Sequence, residues 1–368
     1  MKKVLLVFGT RPEAIKMCPL VLELKKSKTL ETLVCVTGQH KEMLRQVLDI
    51  FGVEPDYDLA IMKAGQDLTD VTIATLSGMR EILNKEKPDV VLVHGDTTTA
   101  FAASLAAFYQ QIPVGHVEAG LRTYNIWSPY PEEFNRQGIG LTAEYHFAPT
   151  ETAKEALLKE GKNPERIYVT GNTGIDALAY TVREDFCHPE TEWAKDSRLI
   201  VLTAHRRENL GEPMREMFRA IRRIVDEFAD VKVIYPIHLN PKVREVAREE
   251  FKDCDRIHLI EPLDVVDFHN FMKAAYMIMS DSGGIQEEAP ALGKPVLVMR
   301  DTTERPEGVA AGTLKLTGTG EENIYSECKR LLTDRELYES MSRAKNPYGD
   351  GKASIRIRKI LEETGNGF

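Results

Sequence analysis

Val4-Leu5-Leu6-Val7-Phe8-Gly9-Thr10-Arg11-Pro12-Glu13 decides how the rest of the chain is read. Five apolar residues in a row suit a strand buried on both faces. Gly9 ends the run, and Pro12 suits the first turn of a helix. A strand that stops in a small-residue turn and feeds a helix leaves backbone N–H groups at the helix start. With the positive end of the dipole, they prepare a place for phosphate. The pattern returns downstream as an apolar run at 276–280, the turn Asp281-Ser282-Gly283-Gly284 and a helix-like run from Ile285. Two such turns predict two α/β domains acting on one phosphorylated ligand.

Working outward, apolar runs of strand length occur at 4–8, 33–37, 90–94, 114–117, 145–148 and 167–170. Later ones occur at 199–202, 231–235, 257–260, 276–280 and 295–299. Helix-length amphipathic runs separate them, which is the pattern of parallel sheets covered on both faces. The charged segment 183–198, with His188-Pro189, interrupts the rhythm and marks a domain junction. The expected domains are 1–182 and 183–352. The turn cluster Asn346-Pro347-Tyr348-Gly349-Asp350-Gly351 precedes a last helix, 353–368, that no strand follows and that is expected to pack back on the first domain.

Composition narrows the class. A chain of 368 residues, 42% hydrophobic, has enough apolar material for two cores. A net charge of −9 argues against nucleic acid, so a bound anion must be held by a few placed Arg and Lys side chains and by helix ends. The five cysteines (Cys18, Cys35, Cys187, Cys254, Cys328) form no C-x-x-C pair, which points to neither a disulfide framework nor a zinc ribbon. They read as small buried hydrophobes of a reducing compartment. With no signal-like segment and no apolar window of ~18 residues, a cytoplasmic protein without a membrane partner is expected.

Ligands of open α/β sheets gather at the carboxyl ends of the strands. The runs here end in Gly9-Thr10-Arg11, Gly38-Gln39-His40, Gly95-Asp96, Glu118-Ala119-Gly120, Gly171-Asn172, His205-Arg206, Ile237-His238, Glu261-Pro262 and Asp281-Ser282-Gly283-Gly284. Acids, bases and phosphate-binding residues collect there. Gly9-Thr10-Arg11 lacks the further glycines of a dinucleotide fingerprint, and no G-x-x-x-x-G-K-[ST] occurs. Arg11 and Lys16 nevertheless suit an anion. Gly283-Gly284 lets a diphosphate approach the backbone, and Glu288, one turn on, suits ribose hydroxyls. His94-Gly95-Asp96 and His116-Val117-Glu118 have the spacing of metal pairs, but no third or fourth ligand accompanies them, so no metal is expected. Asp96 and Glu118 read instead as acids facing a cleft. Glu132-Glu133 opens a Pro-initiated helix, where the dipole alone favours carboxylates; capping and catalysis both remain open there. His205, beside Arg206, suits a departing diphosphate as partner and proton donor.

Taken in order, Phe8-Gly9-Thr10-Arg11-Pro12-Glu13-Ala14, His94-Gly95-Asp96-Thr97-Thr98-Thr99, His116-Val117-Glu118-Ala119-Gly120-Leu121-Arg122, Ala204-His205-Arg206-Arg207-Glu208 and Ser282-Gly283-Gly284-Ile285-Gln286-Glu287-Glu288 resemble the non-hydrolysing UDP-N-acetylglucosamine 2-epimerases. The resemblance implies a glycosyltransferase-B-like α/β fold, with two Rossmann-type domains and a ligand cleft between them. It implies reversible conversion of UDP-GlcNAc to UDP-ManNAc by elimination of UDP to 2-acetamidoglucal and re-addition, without a cofactor. It also implies a homodimer that supplies ManNAc for cell-surface polysaccharide. Asp96, Glu118 and Glu132 match the catalytic carboxylates, and His205 matches the histidine at the diphosphate. Arg11, Lys16, Phe268, Ser282, Gly283, Gly284, Glu288 and Arg305 match substrate contacts. Gln39, His40, Arg206 and His238 match a second UDP-GlcNAc site of some bacterial members, although Glu42 and Gly65 replace a Gln and an Arg there. Leu263 likewise replaces a Gln near the uracil. A hydrolysing epimerase, a glycosyltransferase of the same fold and a nucleotide-sugar sensor are the competing readings.

Overall fold

The computed structural model describes residues 1–38, 41–63 and 65–364. The chain divides into two compact units, one formed by Met1–Tyr180 with the segment from Tyr348 onward, the other by Thr181–Pro347. Strands β1 (Lys2–Phe8), β2 (Leu30–Val36), β3 (Tyr57–Asp58), β4 (Val90–His94), β5 (Val114–Val117), β6 (Tyr145–Ala148) and β7 (Ile167–Val169) form the first sheet. Its order is β3-β2-β1-β4-β5-β6-β7, and every pairing is parallel. The second sheet holds β8 (Arg198–Thr203), β9 (Val231–Pro236), β10 (Ile257–Ile260), β11 (Met277–Ser280), β12 (Val296–Val298) and β13 (Leu314–Leu316). It runs β10-β9-β8-β11-β12-β13, again parallel. Each sheet is doubly wound, and each reverses direction beside its first strand, at β1/β4 and at β8/β11.

Burial explains the apolar runs. In β1, Val4, Leu6 and Phe8 enter one core while Leu5 and Val7 enter the core on the opposite face. In β8, Ile200 and Leu202 face one core and Leu199 and Val201 the other. A period of two with both sides buried gives an unbroken hydrophobic run rather than an alternating one. The last helix, Ala353–Glu363, buries Ile357 and Leu361 in the first unit's core and is pinned by Arg358 to Glu23 at 3.0 Å. Lys2 Nζ also donates to Thr364 O at 2.9 Å. Among the described residues, no helix is long and apolar enough to cross a membrane.

The cysteines are not all buried, as their scatter in the sequence suggests they should be. Cys18, Cys35 and Cys328 are buried, whereas Cys187 is exposed and Cys254 half-buried. Cys187 falls in the polar stretch before β8, where no sheet covers it. Burial pushes the thiols of Cys18, Cys35 and Cys328 up to about 12, so they stay protonated and unreactive at neutral pH. A disulfide reagent at pH 8 is therefore expected to label Cys187 in the native protein and Cys18, Cys35 and Cys328 only after denaturation. Mass mapping of the labelled peptides checks this.

Candidate functional site

In the first unit the turns after β1 and β4 are tied together by a buried carboxylate. Thr10 caps the helix Arg11–Leu24 in a capping box with Glu13. Glu13 Oε2 accepts from the backbone N–H groups of Gly9 (3.0 Å) and Thr10 (2.7 Å), and Oε1 accepts from Thr97 Oγ1 at 2.7 Å. Thr97 in turn caps the helix Thr98–Tyr109. Gly9 is required here because a Cβ would lie 2.0 Å from Thr37 Oγ1. Glu13 thus occupies N–H groups that the sequence alone offers to phosphate. What this turn presents for an anion is the side chains of Arg11 and Lys16.

Asp96 follows β4 and Glu118 follows β5. Arg136, on the helix Glu132–Thr142, donates through Nε to Asp96 Oδ2 at 2.9 Å and through Nη1 to Glu133 Oε2 at 3.2 Å. Burial pushes the Asp96 carboxyl up, Arg136 opposes this, and the charges of Glu118 and Glu132 add to the rise. The charges of Glu118 and Glu132 thus reach Asp96. Glu118 sits at φ 66°, a left-handed conformation rare for a residue with a side chain. Its Oε2 pairs with Lys16 Nζ and accepts from Asn172 Nδ2 at 2.6 Å, with His94 Nε2 at 3.7 Å. Burial lowers His94 to about 4, so the ring is neutral at pH 7. The fully buried Glu133, unlike its half-buried neighbour Glu132, accepts from the N–H groups of Thr123 and Tyr124, each at 3.0 Å. It holds the loop, while the charge of Glu132 is felt at Asp96.

In the second unit the turns after β8 and β11 meet over Asp281, which is fully buried. Its Oδ2 accepts from the N–H groups of His205 and Arg206, each at 2.9 Å, and from Asn209 Nδ2 at 3.2 Å. His205 Nδ1 lies 3.2 Å from Oδ1. Burial alone would raise the Asp281 carboxyl, but His205 and these N–H donors outweigh it and lower it. A carboxylate on Nδ1 fixes the ring and leaves Nε2 to serve a ligand. Gly283 lets the Arg305 guanidinium come close, since a Cβ there would stand 2.7 Å from Nη1, and Glu287 holds Arg305 Nε at 2.5 Å. Glu288 Oε2 lies 3.5 Å from His269 Nε2, whose other ring nitrogen bonds Thr181 Oγ1 at 2.7 Å. Phe268 packs half-buried against the core cluster that includes Ile278 and Phe271. Ser282 N donates to Ser280 Oγ at 2.9 Å, which shapes the turn carrying Gly283 and Gly284.

Arg206 Nε donates to Asp281 O at 2.8 Å, and His238 stacks on His205 with centroids 5.7 Å apart. Gln39 and His40, matched to the same second site, lie outside the described residues.

The family model described as UDP-N-acetylglucosamine 2-epimerase matches residues 22–362. This chain belongs to that family. It is 63% identical over 361 residues to the UDP-N-acetylglucosamine 2-epimerase of Bacillus subtilis (strain 168), covering 98% of this chain and 94% of that protein. A solved structure of the putative UDP-N-acetylglucosamine 2-epimerase from Listeria monocytogenes superposes with a TM-score of 0.93 at 57% identity, covering 100% of this chain and 98% of that one. The Neisseria meningitidis UDP-GlcNAc 2-epimerase, solved bound to UDP-GlcNAc, superposes at 0.91 with 50% identity, covering 98% and 100%. The two parallel α/β sheets are those of the glycosyltransferase-B-like class.

Several residues that organise the strand-end turns of each unit escape a reading of turns alone. Glu13 and Asp281 stand inside turn motifs but act through backbone they hold, and Arg136 sits a helical turn beyond Glu132-Glu133 with nothing local to mark it. Two outcomes are expected. Asp281→Asn, which keeps the shape but weakens the hold on His205, should lower turnover by about 10²-fold or more with nucleotide binding retained, read by kinetics and calorimetry. His94, His116 and His146, lowered by burial to about 4, 3 and 4, should stay neutral in ring-proton NMR down to about pH 5. Their folded values lie below the unfolded value near 6.5, so the stability they contribute is present above that pH and is lost as pH falls toward 3–4.

Proposed function

We propose that the chain inverts carbon 2 of UDP-GlcNAc reversibly and without hydrolysis, giving UDP-ManNAc. The proton on carbon 2 has no adjacent carbonyl to acidify it, so direct removal is too slow and elimination is the economical route. A carboxylate takes that proton while the C1–O bond breaks and UDP leaves with the electron pair, forming the C1=C2 bond of 2-acetamidoglucal. A second group then protonates carbon 2 on the other face, and a phosphate oxygen of UDP returns to carbon 1. Every step is redox-neutral, so no oxidant or reductant is called for.

The single observation that carries the reading is the coupled cluster of Asp96, Glu118 and Glu132, with Asp96 pushed up and Glu118 matched to Lys16. Carboxyl groups held in different environments are what acid and base roles on opposite faces require. Arg11 and Lys16 serve the substrate from the first unit. In the second unit, His205 held by Asp281 meets the leaving diphosphate and Arg305 by Gly283 adds charge to it. Ser282-Gly283-Gly284 forms its cradle, Phe268 neighbours the uracil and Glu288 takes the ribose. The 2-acetamidoglucal must stay bound between the two half-reactions, which distinguishes this chemistry from release of free ManNAc.

The same proposal includes a homodimer. Exposed Ile73, Phe108, Tyr109 and Leu141 lie on the neighbouring helices Leu68–Glu86, Thr98–Tyr109 and Glu132–Thr142, apolar side chains that a second copy would cover. A cytoplasmic site and supply of ManNAc for cell-surface polysaccharide complete it.

Proton NMR of the protein with UDP-GlcNAc in D₂O, without added cofactor, is expected to show UDP-ManNAc, with deuterium entering carbon 2 of both sugars. Free ManNAc with UDP would replace this reading by the hydrolysing one. Glu118→Gln should slow the exchange by ~10²–10⁴-fold while UDP still binds.

A further inference from the structure

We infer that Asn172 is a positioning residue for Glu118, and that the return of the chain to the first unit at Tyr348-Gly349 holds Asn172 in place. The inference deepens the epimerase reading and rests on it. Asn172 follows β7, two strands away from Glu118 at the end of β5, and is 3% exposed. Its Oδ1 accepts from the backbone N–H of Gly174 at 2.8 Å, which fixes the orientation of the amide. Nδ2 is therefore the group that faces the acid, and it donates to Glu118 Oε2 at 2.6 Å. The Lys16 ammonium reaches the same oxygen from the helix after β1. Two donors from opposite sides of β5 thus fix one oxygen of a carboxylate whose backbone is already in a left-handed turn.

The backbone of Asn172 is held from the far end of the sequence. Its N–H donates to Tyr348 O at 2.7 Å. Gly171 (φ +88°) and Gly349 (φ +138°) let the two backbones touch, since a Cβ on either would stand 3.3 Å from the Cα of the other. Two further ties clamp the same stretch. Arg356 Nη1 donates to Thr170 O at 3.0 Å, and Asp176 accepts from the N–H groups of Ala353 (3.1 Å) and Ser354 (2.6 Å). A contact made by the last twenty or so residues therefore reaches a catalytic carboxylate through one amide side chain, and small misplacements of such a group are costly.

Asn172→Ala and Arg356→Ala, the second a half-exposed side chain chosen to spare folding, test this. Asn172→Ala is expected to lower kcat by roughly 10²-fold with KM for UDP-GlcNAc nearly unchanged. Deuterium entry at carbon 2 should fall in step. The acid limb of the kcat profile should move to higher pH, because the carboxylate loses a donor while Lys16, His94 and Asp96 still face it. Arg356→Ala should produce a smaller change in the same direction. A folded Asn172→Ala protein with unchanged kcat and acid limb overturns the inference, as does one that loses KM alone. If Asn172→Ala does not fold, Arg356→Ala decides: a lower kcat at constant KM supports the inference and full activity overturns it. A wild-type protein that exchanges no deuterium overturns the epimerase reading itself, and the inference with it.

Discussion

A buried carboxylate at the point where each sheet reverses direction is the interaction on which the candidate residues of each unit depend. In the first unit Glu13 accepts N–H groups from the turn after β1 and a hydroxyl from the turn after β4. In the second unit Asp281, in the turn after β11, accepts N–H groups from the turn after β8. Parallel pairing makes this necessary. All strands deliver their carboxyl ends to one edge, and the two turns at the reversal have no strand between them to share hydrogen bonds. A carboxylate with several acceptor sites is the compact way to satisfy both turns and to fix their spacing. The solution recurs with different chemical outcomes: burial prevails at Glu13 and pushes its carboxyl up, whereas His205 and the N–H donors prevail at Asp281. Asp281 is thereby an anion suited to orient a histidine, and Glu13 a structural tie.

The same contrast runs through the acids that face the sugar in the proposed reaction. Asp96 is half-buried, close enough to Glu118 and Glu132 to feel their charge, and steadied by Arg136. Glu118 meets a lysine and an amide instead. Burial raises the carboxyl at Asp96 against the pull of Arg136, whereas Glu118 is held by a cation and an amide. This division follows from neighbours contributed by β4, β5, β7 and two helices, so no single motif contains it.

The architecture was legible in the chain because double-sided burial writes itself as unbroken apolar runs. The runs at 90–94, 114–117, 145–148 and 257–260 coincide with β4, β5, β6 and β10. The two strands that escaped, Tyr57–Asp58 and Leu314–Leu316, lie at sheet edges, where Asp58 and Lys315 face solvent and only one neighbour supplies hydrogen bonds. Short edge strands carry too little burial to shape their composition. The site divides the same way. Residues that end strands, such as Asp96, Glu118 and His205, were visible because the apolar run stops at them. Arg136 was not, because the Asp96 it binds comes from a distant turn, and Asn172 stood in a turn with nothing nearby to say which acid it would meet.

Glu118 shows what that long-range support is for. A non-glycine residue in the left-handed region carries strain of about 1–3 kcal/mol, and a glycine would relieve it. Glycine would also remove the carboxylate, so the strain persists only where the side chain is required. It then has to be over-determined by surroundings: His116 Nε2 donates to Gly95 O at 2.7 Å in the adjoining turn, and Lys16 and Asn172 fix the acid itself. A φ of 66° at a half-buried acid, flanked by neutral buried histidines and braced by Lys16 and Asn172, marks a point where folding energy is spent on holding one carboxylate in place.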